Sequence, residues 1–303
     1  MQIGLIGLGK MGGNMARRLR RSGIEVVGHD RDPAVATALQ EACGLQPAES
    51  VAALVRALAA PRLVWLMLPA GDITEGCVDE LQDLLDAGDV LVDGANSWFK
   101  DSMRRGRTLA AWDIDFVDAG VSGGVWGLDE GYALMLGGPE RALARLRPVI
   151  QALAPAADRG WLHTGPVGSG HFVKMVHNGV EYGMMQAYAE GFALMRSRGE
   201  FGLDLAGIAE TWRHGSVVRS WLLDLTAGFL AEDQDLQNIE AFVADSGEGR
   251  WTAIEAIEQG VPTPVMSTAL MMRFASQGRQ DYAAKLLAKM RQAFGGHATR
   301  PSE

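Results

Sequence analysis

Short apolar runs alternate with amphipathic stretches through the first half of the chain. QIGLIG (2–7), EVVGH (25–29), LVWLML (63–68), DVLVDG (89–94), DFVDAG (115–120) and ALMLGG (133–138) are runs of strand length rich in branched aliphatic residues. Between them, segments 10–22, 34–43, 48–59, 73–86, 101–112 and 140–153 place apolar residues at helical spacing. This alternation predicts βαβ units and a mainly parallel sheet, because parallel neighbours need a crossover long enough to hold a helix. Beyond about residue 165 the strand pattern stops. The remainder is rich in Ala, Leu, Met, Glu and Arg with helical periodicity, interrupted near 199–203, 214–219, 245–250 and 259–264. The expected fold is an α/β doubly wound domain over residues 1–165 followed by an all-α domain over 166–303, joined at the glycine-rich link Gly165–Gly170.

The first strand runs into Gly7-Leu8-Gly9-Lys10-Met11-Gly12, which opens the first helix. Each glycine has a reason there. Gly7 permits a tight turn, Gly9 lets backbone approach a pyrophosphate, and Gly12 lets the helix lie close to the strand. The phosphates would meet the N–H groups at the helix N-terminus. Asp30 closes the second strand, 23 residues after Gly7, near the spacing of an acid that binds the adenosine ribose hydroxyls. The order of strand, glycines, helix, strand and acid predicts a Rossmann-type nucleotide site. Asp30 would repel a 2′-phosphate and favours NAD, whereas Arg31 beside it could pair with that phosphate and leaves NADP open.

Three further clusters follow strands at what should be one end of the sheet. They are Leu68-Pro69-Ala70-Gly71, Asp93-Gly94-Ala95-Asn96-Ser97 and Asp118-Ala119-Gly120-Val121-Ser122-Gly123-Gly124. Ligands of open α/β sheets bind beyond the carboxyl ends of the strands, so these clusters are expected to face the nicotinamide. In GSGHFVKMVHNGVEYG (168–183), Lys174, His177, Asn178, Glu181 and Tyr182 recur at helical spacing. They project within about 140° of arc from one helix, aiming an amine, an imidazole, an amide, a carboxyl and a phenol at one volume. Met175, Val176, Gly179, Val180 and Gly183 lie on the opposite side and suit packing.

Composition narrows the class without naming it. With 303 residues, 48% hydrophobic and 21% charged, the chain has the make-up of a globular protein large enough for two domains. A formal charge of −9 argues against a nucleic-acid partner. MQIGLIGLGKMG has no basic leader, and no apolar run is long enough to span a bilayer, so a cytoplasmic setting with no membrane partner is expected. Cys43 and Cys77 stand apart, without metal spacing.

Together GLGKMGGNMARRL, LVDGANS, DAGVSGG, GPVGSGHFVKMVHNGVEYGMMQ and DSGEGRWTAIEAIEQGVP resemble the decarboxylating 6-phosphogluconate dehydrogenases, within the wider β-hydroxyacid dehydrogenases. The resemblance runs from residue 2 to about 297, and KMVHNGVEYG is its most specific element. Relatives acting on small hydroxyacids carry an asparagine pair where this chain has His177 and Asn178. The resemblance implies that Lys174 takes the 3-hydroxyl proton and then polarises the 3-keto group as CO2 leaves, with no metal, and that Glu181 protonates the enediol. It further implies that Asn96, Ser122, Gly123, Gly124, His177 and Asn178 bind the substrate's carboxylate and hydroxyls. Tyr182 and Arg273 are implied for the phosphate. RQAFGGH (291–297) resembles a closing segment whose arginine and histidine, here Arg291 and His297, complete the neighbouring subunit's site. A homodimer or homotetramer is therefore expected.

The chain departs from the long form of the family in lacking the second half of the helical domain. Ser246 and Glu248 also replace a lysine and a threonine that contact the phosphate, and Glu248 would repel it unless turned away or offset by Arg250. Three readings stand: the decarboxylating sugar-phosphate dehydrogenase, a β-hydroxyacid dehydrogenase acting on a small acid without decarboxylation, and a non-catalytic NAD-binding protein.

Overall fold

In the computed structural model, residues 1–279 and 281–295 are described, and strand and helix alternate through the first half as the pattern predicts. β1 (Gln2–Ile6), β2 (Glu25–His29), β3 (Gln46–Pro47), β4 (Leu63–Leu66), β5 (Val90–Asp93), β6 (Asp115–Ser122), β7 (Ala133–Gly137) and β8 (Trp161–Gly165) make one sheet in the order β3-β2-β1-β4-β5-β6-β7-β8. Pairing is parallel throughout except between β6 and β7. The order reverses between β1 and β4, and at that switch point the carboxyl ends of β1, β2, β4, β5 and β6 share one edge of the sheet.

Side-chain alternation explains why the sheet is covered on both faces. Ile3, Leu5, Val26, Trp65, Val92 and Val117 enter one core with Met15, Leu19, Leu146 and Val149. Their sequence neighbours Ile6, Val27, Val64, Leu66, Leu91 and Phe116 enter the other, with Leu54, Leu81 and Leu109. Thus α1 (Lys10–Arg21), α2 (Pro33–Cys43) and α7 (Glu140–Leu153) cover one face. The other is covered by α3 (Val51–Ala57), α4 (Asp72–Leu84) and α5 (Phe99–Ala110), while a short α6 (Gly127–Glu130) follows β6. Strands buried on both faces read as continuous apolar runs, which is why β1, β4 and β5 are legible.

β3 and β8 are additions to the six expected strands. Both are edges: β3 is two residues ending in proline, and β8 leaves Leu162 and His163 exposed. Neither buries an alternating face, so neither carries the pattern that marks a strand. β6 also extends to Ser122, two residues past its expected end.

The chain divides by contact into two compact units, Met1–His177 and Asn178–Glu303. The division falls inside α8 (Ser169–Ser197), later than the change in sequence character at Gly165–Gly170, because the first turns of α8 pack on β6 and β7. The second unit holds the rest of α8 with α9 (Leu205–Arg213), α10 (Trp221–Glu232), α11 (Glu248–Gln259), α12 (Pro264–Ser276) and α13 (Asp281–Gly295). Phe192, Leu205, Ala209, Leu223 and Leu230 form one small core and Tyr182, Ala269 and Leu270 another. The expected break at 245–250 is only half a break, since α11 begins at Glu248. Among the described residues, no helix is long and apolar enough to cross a membrane.

Candidate active site

The glycine turn has the geometry each of its residues implies. Gly7 adopts φ +88 and its N–H donates to the His29 carbonyl at 2.9 Å. A Cβ on Gly12 would collide with the Gly7 carbonyl oxygen, so helix and turn close only over glycine. A Cβ on Gly9 would meet nothing within 4 Å. Gly9 is the N-cap of α1 and brings no side-chain acceptor, so N–H groups of the first turn stay open to an anion at the positive end of the helix dipole. The Asp30 carboxylate accepts from the Leu8 N–H at 2.8 Å and the Asp32 N–H at 3.0 Å, which fixes it against the turn. Lys10 and Arg31 are exposed, and Met11 packs partly on the core. These features fit a dinucleotide pyrophosphate and ribose.

The loops after β4 and β5 are built from buried ion pairs. Asp93 is fully buried and accepts from the Ala95 N–H at 3.0 Å, the Ser97 hydroxyl at 2.8 Å and Arg105 at 2.8 Å. Arg105 also donates to Glu75 at 2.8 Å. Glu75 stands in the first turn of α4, where Thr74 donates to the Pro69 carbonyl at 2.8 Å. The Glu75 carboxyl is held down at about 2 by Arg104 and Arg105 against the opposing effect of burial. Leu68 is half-buried, whereas Pro69, Ala70, Gly71 and Asn96 are exposed at the sheet edge.

Two acids within the clusters expected near the nicotinamide are committed inward. Besides Asp93, the Asp118 carboxylate is fully buried in β6 and accepts from the N–H groups of Gly168 at 2.6 Å and His171 at 2.8 Å. It therefore caps the N-terminus of α8 from a neighbouring strand, a favourable place for a carboxylate in the helix dipole. Burial pushes its carboxyl pKa up, opposed by His171 and these N–H groups. His171 is anchored in turn by Ser102 on α5, 2.7 Å from Nδ1. A Cβ on Gly170 would stand 2.5 Å from the Met135 carbonyl oxygen, and one on Gly120 would stand 2.5 Å from the Lys174 Cβ. Glycines thus let α8 settle on β6 and β7 and bring in the stem of Lys174, which is buried. Ser122 and Gly123 are half-buried and Gly124 exposed where β6 ends.

Along α8 the polar stripe is not a solvated face. Lys174, Asn178 and Tyr182 are buried, Glu181 is half-buried and His177 is exposed. On the side expected to pack, Met175, Gly179 and Gly183 are buried but Val180 is exposed. Within the second unit, a Cβ on Gly179 would stand 2.8 Å from Thr252, so α11 lies close on α8. Arg273 lays its guanidinium 3.5 Å from the Tyr182 ring centroid and donates to the Ala244 carbonyl at 2.8 Å. Ser246 stands 3.4 Å from the Tyr182 hydroxyl and donates to Glu248 at 2.7 Å. Glu248 is buried in the first turn of α11. Arg250, one of the two ways in which Glu248 could be offset, pairs with Asp245 and stacks on Phe274. Arg291 is exposed on α13, and His297 lies outside the described residues.

Sequence reasoning misses Glu75, Ser102, Arg105 and His171 as residues that build the site. Ser102, Arg105, Gly106 and Leu109 form the buried stripe of α5, so an arginine in that register is the available signal. His171 precedes Lys174 by one helical turn, where the pattern of polar positions extends backwards.

A family model described as the NAD binding domain of 6-phosphogluconate dehydrogenase matches residues 2–164, and one described as the 6-phosphogluconate dehydrogenase C-terminal domain matches residues 170–300. The chain is 45% identical over 298 residues to the NAD(+)-dependent, decarboxylating 6-phosphogluconate dehydrogenase of Haloferax volcanii, covering 98% of each. The 6-phosphogluconate dehydrogenase of Plasmodium falciparum shares the fold with a TM-score of 0.84 at 29% identity, over 100% of this chain and 67% of that one. The 3-hydroxyisobutyrate dehydrogenase of Mycobacterium tuberculosis, at 24% identity and a TM-score of 0.72, shares the fold over 92% of this chain and 94% of its own.

Proposed function

The chain belongs to the 6-phosphogluconate dehydrogenase family, and from that premise we propose that it converts 6-phosphogluconate to ribulose 5-phosphate and CO2. When bound, NAD supplies the nicotinamide that accepts the hydride from C3. Gly7, Leu8, Gly9, Lys10, Met11 and Gly12 hold its pyrophosphate through the open first turn of α1. Asp30 takes the ribose hydroxyls, and Leu68, Pro69, Ala70 and Asn96 line its other side. The carboxylate facing the 2′-position makes NAD the preferred cofactor over NADP.

The observation that carries the chemistry is the burial of Lys174 against Gly120, one helical turn below His177 and Asn178. Desolvation lowers the cost of a neutral amine, which a lysine needs in order to accept the 3-hydroxyl proton. The ammonium so formed donates to the 3-keto oxygen. A β-keto acid loses CO2 when that oxygen is stabilised, since the electrons of the breaking C1–C2 bond flow into an enediolate. Glu181 then returns a proton to the carbon that bore the carboxylate. Asn96, Ser122, Gly123, Gly124, His177 and Asn178 hold the carboxylate and hydroxyls of the sugar acid. Tyr182 and Arg273 hold the phosphate, and Arg291 and His297 of a second copy close that end in a homodimer or larger assembly.

One observation favours the second reading, oxidation of a small 3-hydroxy acid without decarboxylation. Glu248 places a carboxylate beside Ser246 and Tyr182, where a phosphate would be held. Comparing kcat/KM for 6-phosphogluconate and for 3-hydroxyisobutyrate, each with NAD and with NADP, separates the two. The proposal predicts turnover of the sugar acid with NAD preferred; turnover of the small acid alone overturns it.

A further inference from the structure

We infer that Arg105 is a positioning residue that joins the loop after β4 to the loop after β5, so that the two meet the cofactor as one rigid unit. The inference rests on the reading above only in assigning Pro69, Ala70 and Asn96 to the cofactor. Arg105 is 2% exposed, and its guanidinium divides between two elements. Through Nε and Nη2 it holds Glu75 at 2.8 Å, and through Nη1 it holds Asp93 at 2.8 Å and the Ser97 hydroxyl at 3.1 Å.

Each partner is itself fastened to one loop. Glu75 belongs to the first turn of α4, its N–H donates to the Gly71 carbonyl at 3.0 Å, and Thr74 donates to the Pro69 carbonyl. Asp93 and Ser97 flank Asn96, and Asp93 accepts from the intervening Ala95 N–H. Asn96 thus projects from a loop pinned on both sides, while its own side chain stays at the exposed edge. Arg104 adds a second guanidinium on Glu75 at 2.8 Å and reaches Asp101 at 3.4 Å. A planar fork can serve two carboxylates in fixed directions, and a lysine's single ammonium cannot. Arg105 therefore fixes the distance between the two loops, and a loss there misplaces both at once.

The test reads NADH affinity by fluorescence, so it does not depend on the sugar-acid activity. Glu75→Gln, Asn96→Ala and their double variant are compared in the native chain and in Arg105→Lys. Arg105→Lys is expected to weaken NADH binding by about tenfold or more. In the native background the effects of Glu75→Gln and Asn96→Ala are expected to be non-additive. In the Arg105→Lys background, where the fork is gone, they are expected to become additive. Additive effects in the native chain, or native NADH affinity in Arg105→Lys, overturn the inference. If Arg105→Lys does not fold, the native-background cycle decides by itself. A chain that binds NADH with the expected coupling yet leaves 6-phosphogluconate untouched refutes the functional reading alone.

Discussion

Gly120 on β6 faces Lys174 on α8 so closely that a Cβ on the glycine would stand 2.5 Å from the lysine Cβ and 2.9 Å from the Gly170 carbonyl oxygen. The second contact is with backbone, which cannot swing aside. Gly120→Ala is therefore expected to push the first turns of α8 off the sheet and move the amine with them. Overpacking of this kind costs about 1–3 kcal/mol, and kcat should fall more than the loss of stability accounts for. Gly76→Ala is the control, because Gly76 lies in α4 with nothing within 4 Å of an added Cβ. Thermal melts and kcat for both variants check this; unchanged kcat in Gly120→Ala would show that the lysine's position is not set by this contact.

Lys174→Met keeps an unbranched apolar stem of similar length in the buried site. It should fold and bind NADH as the native chain does, while turnover falls by about 10²–10⁴-fold with loss of the general base. Melting temperature, NADH titration and steady-state rates measure the three quantities separately. Near-native turnover would remove Lys174 from its assigned role.

Asp30→Ala removes the carboxylate that accepts from the Leu8 N–H and that is proposed to take the ribose hydroxyls. The ratio of kcat/KM for NAD to that for NADP should shrink, because the repulsion of a 2′-phosphate is gone. An unchanged ratio means that Asp30 holds the turn and does not read the cofactor.

Glu75 provides a stability test in acid. Its carboxyl is drawn from an ordinary 4.5 down to about 2, first by the hydrogen bond from Arg104. A depressed carboxyl contributes stability that is fully present above its unfolded pKa and is lost as pH falls through the folded one. The native chain should therefore lose stability between about pH 4.5 and pH 2 more steeply than Glu75→Gln. Denaturant melts across that range measure the difference; parallel curves would contradict the shift.

The parts legible in the sequence are those with a repeating physical signature. β1, β4 and β5 are covered on both faces and declare themselves as apolar runs, and Gly7 and Gly12 take the tight turn and the close helix approach that their spacing implies. The edges β3 and β8 do not, because an edge strand with exposed side chains has no face to mark. Asp93 and Asp118, inside clusters expected near the nicotinamide, turn into the core. An acid within a strand or at its end looks alike whether it points outward or caps a helix within the core, and only the fold shows that Arg105 and the α8 N-terminus claim them. The stripe on α8 is legible as spacing, but burial of Lys174 and Tyr182 depends on partners distant in sequence, Gly120 for the one and Arg273 for the other.

The most direct measurement uses 6-phosphogluconate labelled with ¹³C at C1 and NAD. The account predicts that ¹³CO2 and NADH form in equal amounts and that the remaining product is unlabelled ribulose 5-phosphate. NADH formed while the label stays in a six-carbon acid, or no reduced cofactor with either NAD or NADP, would contradict it.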